Sequence, residues 1–127
     1  MVLACGPTRT AVRRGDANVV AMSDIQALAD QIAREFQPHR IILFGSHAHG
    51  VPRPDADVDL LVILPFEGNP LRKSLEILDR VRPTVPIDVL ARTPEQLRQR
   101  LAWNDFFLRE IVEKGKVLYE APDPRMG

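Results

Sequence analysis

The chain has 127 residues, 45% hydrophobic and 27% charged, which is enough for one hydrophobic core and too little for two. Its 17 basic and 17 acidic residues cancel, which argues against a general nucleic-acid coat protein. A single cysteine excludes an intrachain disulfide, and no purely apolar run, such as Leu60 to Leu64, is longer than five residues, which is too short to span a bilayer, so we expect a cytoplasmic protein without a membrane partner.

The chain divides into an arm, a domain and a tail. Residues 1–21 show neither helical nor strand periodicity and predict a flexible arm, followed by a domain over 22–120 and a tail over 121–127. Ser23 opens a capping-box pattern, after which apolar residues recur at helical spacing until a proline. Short apolar runs predict strands at 40–44, 57–64, 85–90 and 117–119.

Two further helices begin with a proline in the first turn, at Asn69-Pro70 and, as a capping box, at Thr93-Pro94. The first is predicted to bury the stripe Leu71, Leu75, Leu78 and Val81. Downstream, the cluster Trp103, Phe106 and Phe107 is predicted to be core rather than a partner surface, with Gly115 as the cap that ends its helix. Helices mixed with three or four strands predict an α+β fold, an α/β sandwich whose small mixed sheet is flanked by helices.

Three features indicate one phosphate and metal site. Gly45-Ser46 follows a strand, where glycine lets the backbone approach a phosphate and serine offers its hydroxyl and free N–H groups. Asp57 and Asp59 alternate along a strand, so their carboxylates share a face and can hold two divalent ions. Asp88 interrupts an apolar strand and can emerge on the same face. Each feature alone also fits an ordinary turn or a solvated strand edge; their joint occurrence favours a site.

The run Gly45-Ser46-His47-Ala48-His49-Gly50, followed by Asp57-Val58-Asp59, resembles the signature of polymerase-beta-like nucleotidyltransferases. The resemblance covers about residues 24–120, and the length is similar to that of minimal nucleotidyltransferase (MNT) domain proteins, which often act as antitoxins beside HEPN-domain toxins. It implies a polymerase-beta-like nucleotidyltransferase fold with ATP as substrate and two Mg²⁺ ions as cofactors. It also implies that Gly45 and Ser46 bind the triphosphate, and that the catalytic residues and metal ligands are Asp57, Asp59 and Asp88.

The resemblance implies an enzyme that transfers AMP from ATP to a hydroxyl of a HEPN toxin. Two alternatives stay open: a non-catalytic antitoxin that neutralises its partner by binding, and a small-molecule nucleotidyltransferase that needs a partner subunit. Zinc at His47 and His49 is disfavoured, because residues two apart on a helix do not face each other and no cysteine is near. Arg53 and Arg92 are candidate triphosphate or acceptor contacts, although surface arginines are the commoner case.

Overall fold

The computed structural model describes residues 21–48 and 57–122, so nearly all of the predicted arm and most of the predicted tail lie outside the described residues. Within these ranges no helix combines the length and the apolar character that crossing a bilayer requires. The predicted α+β class, with a small mixed sheet flanked by helices, is confirmed.

In chain order the elements are α1 (Met22–Phe36), β1 (Arg40–Phe44), a 3₁₀ turn (Gly45–Ala48), β2 (Val58–Ile63), α2 (Pro70–Val81), β3 (Ile87–Arg92), α3 (Pro94–Ala102), α4 (Phe106–Lys114) and β4 (Lys116–Glu120).

The four strands of the described residues form one sheet in the order β3-β2-β1-β4. Strand β1 pairs antiparallel with β2 and β4, whereas β2 and β3 are parallel and are joined through α2, the crossover that a parallel pair needs. The register sets Phe44 opposite Asp59, and Asp59 beside Asp88. Because register partners point to the same face of a sheet, these three side chains share one face at one end of it.

Helices cover both faces of the sheet, each over its own apolar core. Helices α1 and α2 cover one face, where they meet the side chains of Ile41, Leu43, Val58, Leu60 and Val62. Helices α3 and α4 cover the other face, over Ile42, Leu61 and Ile63. Strand β2 is therefore buried on both sides, which explains its nearly continuous apolar sequence, and its one half-buried residue is Asp59.

Two predicted helix starts are confirmed by their hydrogen bonds. The Thr93 hydroxyl accepts from the Gln96 N–H at 3.0 Å, and the Gln96 side-chain oxygen accepts from the Thr93 N–H at 3.0 Å, which completes a capping box. The Asn69 side-chain oxygen accepts from the Leu71 N–H at 2.8 Å, with a proline at the first helical position. Both starts depend on residues at most three positions apart, and the sequence therefore reveals them.

The predicted cap at Ser23 was wrong. Helix α1 begins at Met22, and the residue before it, Ala21, makes no side-chain capping bond. Gln26, the predicted partner in the capping box, instead donates from Nε2 to the carbonyl oxygen of Leu118 at 3.0 Å. That bond ties α1 to the edge strand β4, so a tertiary contact has replaced the local one.

The predicted buried stripe of α2 is confirmed at Val81 but was wrong at Leu71 and Leu75. The buried residues are Ser74, Ile77 and Val81, while Leu71 and Leu75 are more than half exposed. The Ser74 hydroxyl donates to the Pro70 carbonyl oxygen and accepts from the Ala91 N–H at 3.1 Å. Because β3 is an edge strand, this outward N–H needs a partner, and supplying one turns the serine rather than the leucines towards the sheet.

The aromatic cluster predicted to be core lies on the surface. The chain leaves α3 at Trp103 and turns through Asn104, whose φ is +61°. Asp105 then caps a separate helix by accepting from the Leu108 N–H at 3.1 Å. This turn directs Leu108 and Ile111 into the core and leaves exposed the side chains of Trp103, Phe106 and Phe107.

Candidate active site

The site is built around Asp59, a half-buried carboxylate near the start of β2. Gly45 follows β1 with a φ of +80°, and a Cβ added there would run into the Asp59 carboxylate, lying 3.3 Å from its Cγ. A glycine is therefore needed for two reasons, the backbone conformation and the space. This close approach sets the Gly45 turn directly against an acidic side chain.

The structure brings Asp59 and Asp88 together and places Asp57 at the entrance to the same strand. Asp59 and Asp88 are register partners in the parallel pair of β2 and β3. Asp57 precedes β2 and is exposed, and the N–H of the next residue, Val58, donates to the carbonyl oxygen of Pro86 at 3.0 Å, which holds the starts of the two strands side by side. Ser46 lies in the 3₁₀ turn after Gly45. The roles assigned to these five residues remain predictions.

Electrostatics links the three carboxylates. Burial raises the pKa of Asp59 above its ordinary value of 3.8, and the negative charges of Asp88 and Asp57 raise it further. His47 acts in the opposite direction and lowers that pKa. Removing the proton from Asp59 therefore concentrates negative charge at this end of the sheet, and a cation between the carboxylates would relieve the repulsion.

The donor chemistry at this end of the sheet fits Mg²⁺, an ion that prefers oxygen ligands. In the described ranges, no three or more His, Cys, Asp or Glu side chains are arranged as ligands around a single point. Asp59 and Asp88 are register neighbours, but the described carboxylates do not form a closed cage. Mg²⁺ commonly binds through one or two carboxylates together with substrate phosphates and water, so an open cluster suits it better than it would suit an ion that needs an all-protein shell.

His47 is buried in the 3₁₀ turn, and its Nδ1 has no hydrogen-bond partner among the described residues. Its influence on the pKa of Asp59 makes His47 a neighbour of the site. Sequence reasoning disfavoured zinc at this residue and treated it as a candidate nucleotide contact at the rim of the site, and its place inside the signature was the available signal. Arg92 lies at the opposite end of β3, about 13 Å along the strand from Asp88, so its backbone is not beside the paired carboxylates. The other two candidates, His49 and Arg53, lie outside the described residues.

Comparison with known proteins identifies the family. The family profile described as "Nucleotidyltransferase domain" matches residues 25–119. A relative from Methanocaldococcus jannaschii named "Putative protein adenylyltransferase" is 27% identical over 82 residues, which are 63% of this chain and 77% of the relative. The crystal structure of a "putative nucleotidyltransferase" from Sulfolobus solfataricus shares the fold, with a TM-score of 0.50 at 17% identity over 61% of this chain and 71% of that one. The chain belongs to the nucleotidyltransferase domain family, as its resemblance to the polymerase-beta-like nucleotidyltransferases predicts.

Proposed function

We propose that this chain, through a catalytic unit of residues 22–120, transfers AMP from ATP to a hydroxyl group of a partner protein. The observation that carries the proposal is the pairing of Asp59 with Asp88 on neighbouring strands, against the turn at Gly45. Two carboxylates beside a backbone bend combine the groups that divalent ions and phosphates require. The name of the M. jannaschii relative supports a protein as the acceptor.

The reaction forms a bond between the acceptor oxygen and the α-phosphorus of ATP. It breaks the bond between that phosphorus and the oxygen that bridges to the β-phosphorus, so pyrophosphate leaves and AMP stays on the acceptor. The proton of the acceptor hydroxyl passes to Asp88. This carboxylate is exposed whereas Asp59 is half-buried, so Asp88 is the more accessible of the pair to an incoming side chain.

The chain's own residues divide the work of binding. Asp57, Asp59 and Asp88 would hold two Mg²⁺ ions, which when bound supply positive charge to the α-phosphate and to the departing pyrophosphate. Asp59, held between Gly45 and Asp88, positions the cluster. Gly45 and Ser46 would bind the triphosphate through backbone N–H groups and the serine hydroxyl.

We further propose that the acceptor is a HEPN-family toxin, which AMP transfer neutralises, and that both proteins act in the cytoplasm. This part of the proposal rests on the resemblance of the signature from Gly45 to Asp59 to that of the MNT-domain antitoxins. The 17 basic residues are balanced by 17 acidic ones, so the chain has no overall excess of positive charge. This balance favours a protein over a nucleic acid as the acceptor.

The test is to incubate the purified chain with ATP labelled at the α-phosphate, Mg²⁺ and the protein encoded by the neighbouring gene. Label is expected on that protein with the wild type, and not with Asp59→Asn or Asp88→Asn. Glu95→Gln is a matched control, because this exposed carboxylate lies in the first turn of α3, at the other end of the sheet. If Asp59→Asn neutralises the toxin as fully as the wild type, the chain is instead an antitoxin that acts by binding.

A further inference from the structure

The corner between α3 and α4 exposes three aromatic side chains, the aromatic corner (Trp103, Phe106 and Phe107). Their exposed fractions are 65%, 78% and 58%. Since side chains of this size bury about 150–250 Å² each when fully packed, the corner presents on the order of 400 Å² of apolar surface. This area is comparable with the largest apolar patch of a typical monomeric protein, about 300–600 Å², and such patches are often functional.

The aromatic corner is continuous with the candidate active site. The Phe107 ring packs edge-on against the Phe44 ring, with centroids 5.7 Å apart and an angle of 86° between the planes. Phe44 is in turn the register partner of Asp59 and the residue before Gly45. The corner, Phe44 and the carboxylates therefore lie on the same face of the sheet, whereas the exposed leucines of α2 belong to the helix layer on the opposite face.

We propose that the aromatic corner is the surface on which the acceptor protein docks, an inference that rests on the proposed transfer to a protein. An acceptor must bring its hydroxyl to Asp59 and Asp88 from this face of the sheet, and the corner is the apolar surface next to them. The partner this surface fits is a folded protein with an apolar patch close to the hydroxyl that is modified.

The charges around the corner favour an apolar contact. Arg100 lies 3.6 Å from Asp105, and Arg109 lies 3.5 Å from Glu113, so these two arginines beside the corner are paired within the chain. A nucleic acid would need free cations at this place, and these arginines already have acidic partners. Binding is thus left to the three aromatic rings, which are typical anchors of protein interfaces.

The size of the corner favours a transient partner over a permanent second copy of this chain. A stable interface of standard size buries about 800 Å² on each partner, roughly twice the area of the aromatic corner. A smaller contact suits an acceptor that must dissociate after modification. It also lets one enzyme molecule modify many acceptors in turn.

The first experiment uses Trp103 as a reporter, because it is the only tryptophan in the chain. A chain labelled with fluorotryptophan gives one fluorine NMR signal, and the added probe is the protein encoded by the neighbouring gene. The signal is expected to shift on addition of that protein and to lose its shift in the Phe106→Ser variant. No shift in the wild type, or an equal shift in the variant, would overturn the proposal.

The second experiment measures labelling kinetics with the same acceptor. The Trp103→Ser/Phe106→Ser variant is expected to raise the KM for the acceptor by about tenfold or more and to leave the KM for ATP unchanged. Phe107 is retained because it contacts Phe44. The control is Leu71→Ser/Leu75→Ser, which removes two apolar side chains that are also more than half exposed but belong to the opposite helix layer, and which should change neither KM by more than about twofold.

The two proposals fail in different ways. If label is transferred and the aromatic variant has the wild-type KM for the acceptor, docking at the corner is wrong while the transfer stands. If no label is transferred but the fluorine shift depends on Phe106, docking stands and the chain is a binder rather than an enzyme. A signal that changes with the concentration of the chain alone, or on deletion of residues 1–20, would show that a second copy or the chain's own N-terminus covers the corner, and would overturn the inference.

Discussion

The carboxylate of Asp59 occupies the space that a side chain on Gly45 would need. The two residues come from successive strands of an antiparallel pair, one just after β1 and the other near the start of β2. A glycine in a turn and an acid in a strand are thus parts of one structural unit. Any change at either residue is expected to disturb the other.

Gly45→Ala should destabilise the protein more than Gly68→Ala does. Both glycines have positive φ, +80° and +94°, so each substitution carries a backbone cost of about 1–2 kcal/mol. A Cβ at Gly68 would meet nothing within 4 Å, whereas one at Gly45 would displace the Asp59 carboxylate. The free energies of unfolding from urea titrations measure the difference, and equal losses would contradict the steric role of Asp59.

Asp59→Asn should stabilise the protein at neutral pH. The pKa of Asp59 is raised on folding, so as pH rises through the interval between 3.8 and the higher folded value, the unfolded chain loses its proton first and the free energy of unfolding falls. At pH values above that interval the loss in the free energy of unfolding is constant, and below pH 3.8 there is no loss. The Tm of the variant should therefore exceed that of the wild type at neutral pH, and the two should converge in acid.

Thermal unfolding of both proteins across this pH range tests the prediction. Asp79→Asn is a suitable control because it makes the same substitution at an exposed position of α2. It should change Tm little at any pH. A variant at Asp59 with a lower Tm than the wild type at neutral pH would show that the carboxylate is stabilised by folding rather than strained by it.

Mg²⁺ together with ATP should raise the Tm of the wild type, and removing the metal with a chelator should reverse the change. A ligand at roughly a hundred times its Kd stabilises a folded protein by about 2.7 kcal/mol. The gain should disappear in Asp59→Asn and Asp88→Asn and persist in Glu95→Gln. If Mg²⁺ and ATP raised the Tm of both aspartate variants as much as that of the wild type, Asp59 and Asp88 would not belong to the proposed metal and nucleotide site.

Ser74→Ala should cost about 1–3 kcal/mol, because it leaves the N–H of Ala91 buried without a partner. Ser23→Ala is the matched control: this serine is exposed and α1 has no side-chain cap, so its loss should change stability by no more than about 0.5 kcal/mol. Urea unfolding of the two variants gives the comparison. A large loss of stability in Ser23→Ala would show that Ser23 does cap α1. A negligible loss in Ser74→Ala would show that the N–H of Ala91 finds another hydrogen-bond partner.

Local chemistry made much of the fold predictable from sequence. The caps at Asn69 and Thr93 join groups at most three residues apart, and the apolar runs of the strands carry their own signal. The candidate site residues could be named because Gly45-Ser46 and Asp57-x-Asp59 stand in a short signature, and alternation along a strand suggested that Asp88 could join them.

Contacts between distant segments decided the rest. Alternation groups the residues that share a face, but it does not say which face is buried or which strand lies alongside, so only the register of β2 and β3 could pair Asp59 with Asp88. Because the N–H of Ala91 on the edge strand needs a hydrogen-bond partner, Ser74 lies towards the sheet. Two leucines that the helical period alone would bury are exposed as a result. The turn at Asn104 likewise brought the aromatic corner out beside Phe44. The sequence by itself determined local conformation and the chemical groups available, and the tertiary structure decided which of those groups meet, because burial and register depend on partners far away in the chain.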